Sequence, residues 1–350
     1  HNSNLSNGYM FEEPDQDEIL IQSTKEPLVE IFQHKGSSEC NVDLNDPLCN
    51  FEQLPYKDFR SKFQNDLSSS PDSSFVREAL GKGLLSQDRQ SINPLKFGVI
   101  ASTDTHLGTP GAVDESSFQG HGGAGKSFRS SIPEGLPDDI EFNPGGLAVA
   151  WAEENSRSAI FDAFQRKEVY GTSGPRFIVR FFVGDNLDKN LCKNPDNISY
   201  AYANATPMGG TIASDSLSQP SIFISASADS SIKDQFIEKL QVVKGVVRNG
   251  ELLTTVHDVG VTNAQSKLDI ANCEVTGSGE KAMCSVWNDP NFNSSENAYY
   301  YVRVVANKSC RWSHNLCLQN PEYCEADSDA SIPKVIQERA WTSPVWLEKT

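Results

Sequence analysis

Asp104 and His106 form a D-x-H triplet directly after the apolar run Phe97-Gly98-Val99-Ile100-Ala101. Side chains two residues apart on an extended chain project to the same side of the pleat, so a carboxylate oxygen and an imidazole nitrogen can reach one ion. That donor pair suits zinc, manganese or iron. The small neighbours Ser102, Thr103 and Thr105 leave room for a close-packed cage, and their hydroxyls can orient the ligands. D-x-H triplets are also common on ordinary surfaces, so the strand-end setting is what favours a metal-ligand role. A second polar phrase, Gln33-His34-Lys35-Gly36-Ser37-Ser38-Glu39-Cys40, follows the apolar run Leu28 to Phe32. His34 and Lys35 there, with His121 in Gly120-His121-Gly122-Gly123, are candidate substrate contacts by loop position; a structural or solvent-facing role is the alternative. His1 opens a phrase with three asparagines and two serines, which suits a polar ligand as well as it suits a solvated loop.

Both phrases need strands to hold them. Leu28-Val29-Glu30-Ile31-Phe32 and Phe97 to Ala101 are short, with β-branched and aromatic residues, and read as buried strands. In α/β folds the loops beyond strand C-termini form the ligand rim. Between them, Ser70-Pro71-Asp72 followed by Phe75, Val76, Ala79 and Leu80 predicts a capped helix ending near Gly81 or Gly83. Residues 107–146, rich in Gly, Ser and Pro, predict an active-site cover. Asn155 or Ser156 should cap a helix carrying Ala159, Ile160, Ala163 and Phe164 on one face. After Gly174-Pro175 come short runs such as Phe177 to Phe182, Ile222 to Ser225, Leu240 to Val243 and Tyr299 to Val305, separated by Gly, Asn and Asp turns. That texture predicts an antiparallel sandwich. The expectation is an α/β region over residues 1–175 and a β-rich antiparallel region over 176–350.

The chain has 350 residues, enough for about two domains each with its own core. Thirty Lys and Arg against 47 Asp and Glu give a net charge of −17, which repels phosphate backbones and argues against nucleic-acid binding. No run approaches the roughly 20 apolar residues that span a bilayer, so no transmembrane segment is expected. Eight cysteines without a C-x-x-C pair exclude a zinc ribbon or a thioredoxin-like centre. Cys40 with Cys49, and Cys273 with Cys284, bracket short loops and can close disulfides in an oxidising compartment, with buried thiols as the alternative. Cysteine number and acidic balance favour a periplasmic or secreted location. The chain starts at His1 without an initiator Met or signal segment, which predicts a fragment or processed form.

Five phrases in order carry a family resemblance: His1-Asn2-Ser3-Asn4 to Gly8, Glu26 to Gly36, Gly98 to His106, Gly145-Gly146-Leu147-Ala148 to Asn155, and Tyr170-Gly171-Thr172-Ser173-Gly174-Pro175-Arg176. The later Gln337 to Pro344 fits as well. Together they resemble domain-of-unknown-function family 3604, related to the polymerase-and-histidinol-phosphatase (PHP) metallohydrolases. The resemblance implies the C-terminal part of a distorted PHP-like β/α barrel followed by the β-rich, sandwich-like region. It implies two or three divalent ions (Zn, Mn or Fe) in the full-length protein, with Asp104 and His106 matching the last ligand motif and His1 a single ligand histidine. The opening His-x-His motif and the middle Glu and His ligands have no counterpart, so the fragment alone should be inactive. The implied activity is hydrolysis of a small anionic substrate, a phosphoester, by a metal-activated water. Another ester such as sulfate, or a non-catalytic exported binding or structural protein on a degenerate barrel, is the alternative.

Overall fold

In a computed structural model the described residues are 21, 24–42, 45–53, 75–105, 108–118, 142–263, 265–319, 321 and 333–350. The strands in chain order are β1 (Leu28–Gln33), β2 (Gly36–Ser37), β3 (Gly98–Ala101), β4 (Leu147–Ala150), β5 (Val169–Thr172) and β6 (Ile178–Asp185). They continue with β7 (Ala205–Pro207), β8 (Thr211–Ala213), β9 (Pro220–Ser227), β10 (Ile237–Arg248), β11 (Glu251–Val261) and β12 (Lys267–Asp269). The last are β13 (Glu274–Thr276), β14 (Ala282–Asn288), β15 (Ala298–Cys310), β16 (Val335–Thr342) and β17 (Val345–Glu348).

A large sheet runs β11-β10-β15-β16-β5-β4, with β17 paired to both β15 and β8. Its central strands are apolar at successive positions because both faces are covered. On β15 the even positions Tyr300, Val302 and Val304 pack with Val179, Phe181, Ile222 and Ile224 of a second sheet, β14-β9-β6-β7. The odd positions Tyr299 and Tyr301 join Val243, Val247, Trp341 and Trp346 against Phe32, Leu80 and Val99. Each such apolar side chain removed from water contributes about 1.5–3 kcal/mol. The period of two therefore divides one strand between two cores.

The second of these cores is closed by a three-stranded sheet, β2-β1-β3, and by the helix Val76–Gln90 that links β1 to β3. That helix runs past both glycines and ends at Ser91, in a left-handed conformation. Gly81 and Gly83 serve close approach instead of termination: a Cβ on Gly81 would meet Leu252 Cδ2 at 2.1 Å, and one on Gly83 would meet Asn93 Oδ1 at 2.2 Å. The helix Arg157–Gln165 starts at Ser156, whose hydroxyl accepts from the Ala159 amide at 3.2 Å, as its sequence predicts.

The expected PHP-like β/α barrel is absent among the described residues, which form mostly β-sheets. Among the described residues only β1–β3 and β8–β17 pair in parallel, and β1–β3 is a single strand-helix-strand crossover. The strand-like run after Gly146 does not extend that crossover; β4 pairs antiparallel with β5 and joins the large sheet. Sequence alternation of strand, loop and helix looked like a repeating unit because pairing partners are invisible locally. No helix among the described residues is long and apolar enough to cross a membrane.

Disulfides join Cys40 to Cys49, Cys192 to Cys284, and Cys273 to Cys310. Cys317 is disulfide-bonded as well, and no described cysteine is free. The first pair is the one its spacing suggests. The Cys273–Cys284 pairing does not form, because β13 and β14 lie in different sheets and carry the two sulfurs to different partners. Three disulfides fit an oxidising, extracytoplasmic compartment.

Candidate functional site

β1 and β3 are parallel neighbours, paired from Leu28 with Gly98 to Phe32 with Ala101 with a one-residue register shift between Glu30 and Phe32, so their C-terminal polar phrases end side by side. The Ser102 amide donates to the Phe32 carbonyl at 3.0 Å and the His34 amide to the Thr103 carbonyl at 3.2 Å. His34 and Lys35 are the two turn residues between β1 and β2, and Gly36 follows at φ 92°, a backbone region that favours glycine.

Gln33 ties the two ends together. Its Oε1 accepts from the Lys35 amide at 2.9 Å, and its Nε2 donates to Asp104 Oδ2 at 3.0 Å. Asp104 stands at φ 62°, a left-handed conformation that aspartate tolerates better than most residues and that recurs at functional sites. Thr103 Oγ1 accepts from the Thr105 amide at 3.1 Å. The segment Asn143 to Gly146 clamps both ends: the Asn143 amide donates to the His34 carbonyl at 2.8 Å, and the Gly146 amide to the Ser102 carbonyl at 2.7 Å. Gly145 lies so close to Thr103 that a Cβ would fall 2.6 Å from its Cα.

Of the residues singled out by sequence, Asp104, His34 and Lys35 thus meet at one edge. His1, His106 and His121 lie outside the described residues. Lys35 is buried, its ammonium is bonded to Ser38 Oγ, and burial pushes its pKa down to about 8 against the opposing pull of Glu30. His257 instead packs against Trp287 with ring centroids 4.9 Å apart and the rings tilted by 31°, and His314 Nε2 lies 2.9 Å from the Ile270 carbonyl. Trp341 and Trp346 are core residues. Two groups of described His, Cys and Asp side chains are close enough to hold an ion, Cys273-Cys310-His314 and Cys40-Asp46-Cys49. Each is built on a disulfide, so neither has the thiolates that metal binding needs.

Two buried charge networks lie behind the edge. In the first, Glu39 accepts from Arg77 Nη2 at 2.7 Å, Arg303 Nη1 at 2.9 Å, Tyr301 at 2.8 Å and Trp341 Nε1 at 2.7 Å. Asp46 bridges the same two arginines at 3.0 Å. Burial would raise the Glu39 carboxyl, but Arg303, Arg77 and Arg339 outweigh it and hold the group far below its ordinary value. In the second, Arg311 Nε donates to Glu52 at 3.1 Å and Nη2 to the Phe142 carbonyl at 2.9 Å. Glu52 also accepts from Asn143 Nδ2 at 2.9 Å, while the Trp312 amide donates to Glu115 and the Ser173 hydroxyl to Glu338. Glu115 and Glu338 line a cavity of about 1270 Å³, together with Phe118, Arg176, Asp229 and Asn315.

Sequence reasoning missed most of both networks. The available signal was a charge set among residues of a buried run, as with Arg303 between Val302 and Val304 and Arg339 before Ala340-Trp341. An ionisable group at such a position is buried and must be paired.

Burial pushes the Glu115 carboxyl up to about 8, against Arg311 and with help from Glu52. Burial and the neighbouring Glu115 push Glu338 well above its ordinary value. A carboxyl whose folded pKa exceeds its unfolded one contributes stability fully below the unfolded value, near 4.5, and loses it as pH rises through the folded value. Wild-type unfolding free energy should therefore fall relative to Glu115→Gln between pH 5 and 8, by up to about 1.4 kcal/mol per unit. Urea titrations of both proteins across that range check this; a constant difference rejects it. Lys35 and Lys167, both lowered to about 8, act only above this window.

Residues 1–349 match the family described as "Protein of unknown function (DUF3604)". No curated protein and no solved structure matches the chain. By a match over nearly its whole length, the chain belongs to the DUF3604 family.

Proposed function

We propose that the protein is a metal-dependent hydrolase directed to small phosphoesters, acting at the C-terminal edge of β1 and β3. The supporting observation is the Gln33–Asp104 hydrogen bond across the ends of two parallel strands. It fixes a carboxylate with an amide donor at the rim where α/β ligands bind, as outer-sphere partners fix metal-ligating carboxylates. The residue types fit a divalent ion of the Zn, Mn or Fe class: Asp104 and His106 supply carboxylate and imidazole, and His1 a further imidazole. The likeness of Asp104-x-His106 to the last ligand motif of the PHP metallohydrolases, a resemblance of sequence alone, supports the same reading. A divalent ion bound there would supply acidified water and positive charge for phosphoryl oxygens. Gln33 orients Asp104, and the buried Lys35 ammonium, bonded to Ser38 Oγ, braces the turn that follows β1. An extracytoplasmic workplace accords with the disulfides.

Metal analysis of the full-length protein, followed by hydrolysis of p-nitrophenyl phosphate and bis(p-nitrophenyl) phosphate, tests the reading. Loss of an outer-sphere partner costs about 10–100-fold in affinity or activity, so Asp104→Ala and His106→Ala should each lower both by at least about 100-fold. Wild-type metal content and turnover in both variants would reject the site. The cavity beside Glu115 and Glu338 favours a second reading, a binding protein without turnover, because Arg176, Asp229, Asn315 and Phe118 in its lining offer the mixed polar and aromatic contacts that fix a small ligand. Bound metal with no hydrolysis of phosphate or sulfate esters would favour it.

A further inference from the structure

We infer that Nε2 of His34 is a metal-ligating atom, so that the turn after β1 contributes a ligand to the ion site at this edge beyond the D-x-H pair. The inference rests on the metal chemistry proposed for that edge.

His34 is only 7% exposed. Its Nδ1 lies 2.7 Å from the Asn143 carbonyl oxygen. A carbonyl only accepts, so Nδ1 carries the proton and donates it. The neutral ring then has its lone pair on Nε2. That atom is closed off from solvent and meets no hydrogen-bond partner among the described residues. Leaving a buried acceptor unsatisfied forfeits its hydration without return, and native chains rarely do so without an ion, a water or a catalytic use.

The ring is oriented from several directions. Asn143, fully buried, donates its own amide to the His34 carbonyl at 2.8 Å, so two hydrogen bonds join the same two residues. The Asn143 side chain is fixed in turn by the Gly145 amide at 2.8 Å and by Glu52 at 2.9 Å. Phe118 flanks the imidazole with a centroid separation of 6.4 Å. Metal-ligating histidines characteristically donate the second ring N–H to a carbonyl or carboxylate, which sets the tautomer and raises ligand basicity. A water needs two to four polar partners, and the flank here is an aromatic ring. The neighbouring cation does not compete for the site, because the Lys35 ammonium is engaged with Ser38 Oγ.

The test uses the full-length wild-type protein crystallised with Zn²⁺ and data collected at the zinc edge. An anomalous peak about 2.0–2.1 Å from His34 Nε2 is the expected result. A zinc peak near Asp104 with a water or nothing at Nε2 overturns the His34 assignment and leaves the hydrolase reading standing. No zinc at this edge at all overturns both. In solution, His34→Gln should weaken Zn²⁺ binding by at least about tenfold, with one imidazole fewer in the X-ray absorption spectrum of the bound ion. Unchanged affinity and imidazole count in that variant, beside an Asp104→Ala protein that has lost zinc, again reject His34 alone.

Discussion

Replacing Glu39 by alanine should destabilise the protein by about 3–5 kcal/mol, the range found when one member of a buried charge set is removed. The size follows from what remains. Arg77 and Arg303 are both shut off from water and lose the carboxylate that each meets within 3 Å, leaving Asp46 to compensate two guanidinium groups. Tyr301 and Trp341 lose an acceptor at the same time. Glu39→Gln keeps an acceptor but removes the charge, and should fall between wild type and alanine. Urea unfolding at pH 7 measures all three. A loss below about 1 kcal/mol for alanine would mean that water or a shifted Asp46 replaces the carboxylate. Because the Glu39 pKa is depressed, its contribution is present above its unfolded value of about 4.5 and fades only as pH falls further. It therefore leaves the pH 5–8 window to Glu115.

Removal of the Cys192–Cys284 disulfide should cost about 4–5 kcal/mol, the largest loss among the three crosslinks with both cysteines described. In the chain-entropy account a crosslink limits the unfolded ensemble more the longer the loop it closes. The separations are 92 residues for this pair, 37 for Cys273–Cys310 and 9 for Cys40–Cys49. The same relation gives about 4 kcal/mol for the second and about 2.5–3 kcal/mol for the third. Paired Cys→Ala variants, compared by denaturant unfolding, should follow that order. The reverse order would mean that native packing around Cys40 and Cys49, both fully buried, outweighs chain entropy.

Legibility differed between residues for physical reasons. Asp104, His34 and Lys35 were legible as a group because strand-terminal polar phrases follow apolar runs, and the parallel pairing of β1 with β3 sets those phrases side by side. His34 was read as a substrate contact; its ring nitrogen turned toward the Asn143 carbonyl is a fact of a contact across 109 residues, with no trace in local spacing. Asn143 itself gave no signal, since it lies in a Gly- and Pro-rich stretch that reads as a loop cover. The Cys40–Cys49 bond was legible because a short loop brings its ends together unaided, whereas Cys192 meets Cys284 only after β9 and β14 have paired.

Period-two runs, the Ser156 cap and the acidic balance follow from the chain's own chemistry, because each depends on residues a few positions apart or on composition alone. The barrel expectation failed on a different scale. Strand runs separated by loops and helices are compatible with many pairings, and the choice among them depends on which faces find apolar partners. β15 chose between two cores by the alternation of its side chains, and β5 found β16 across about 170 residues. Burying both faces of the large sheet required Arg303 and Arg77 to be paired inside, and that requirement, visible only once the layers meet, placed Glu39 and Asp46 where they are.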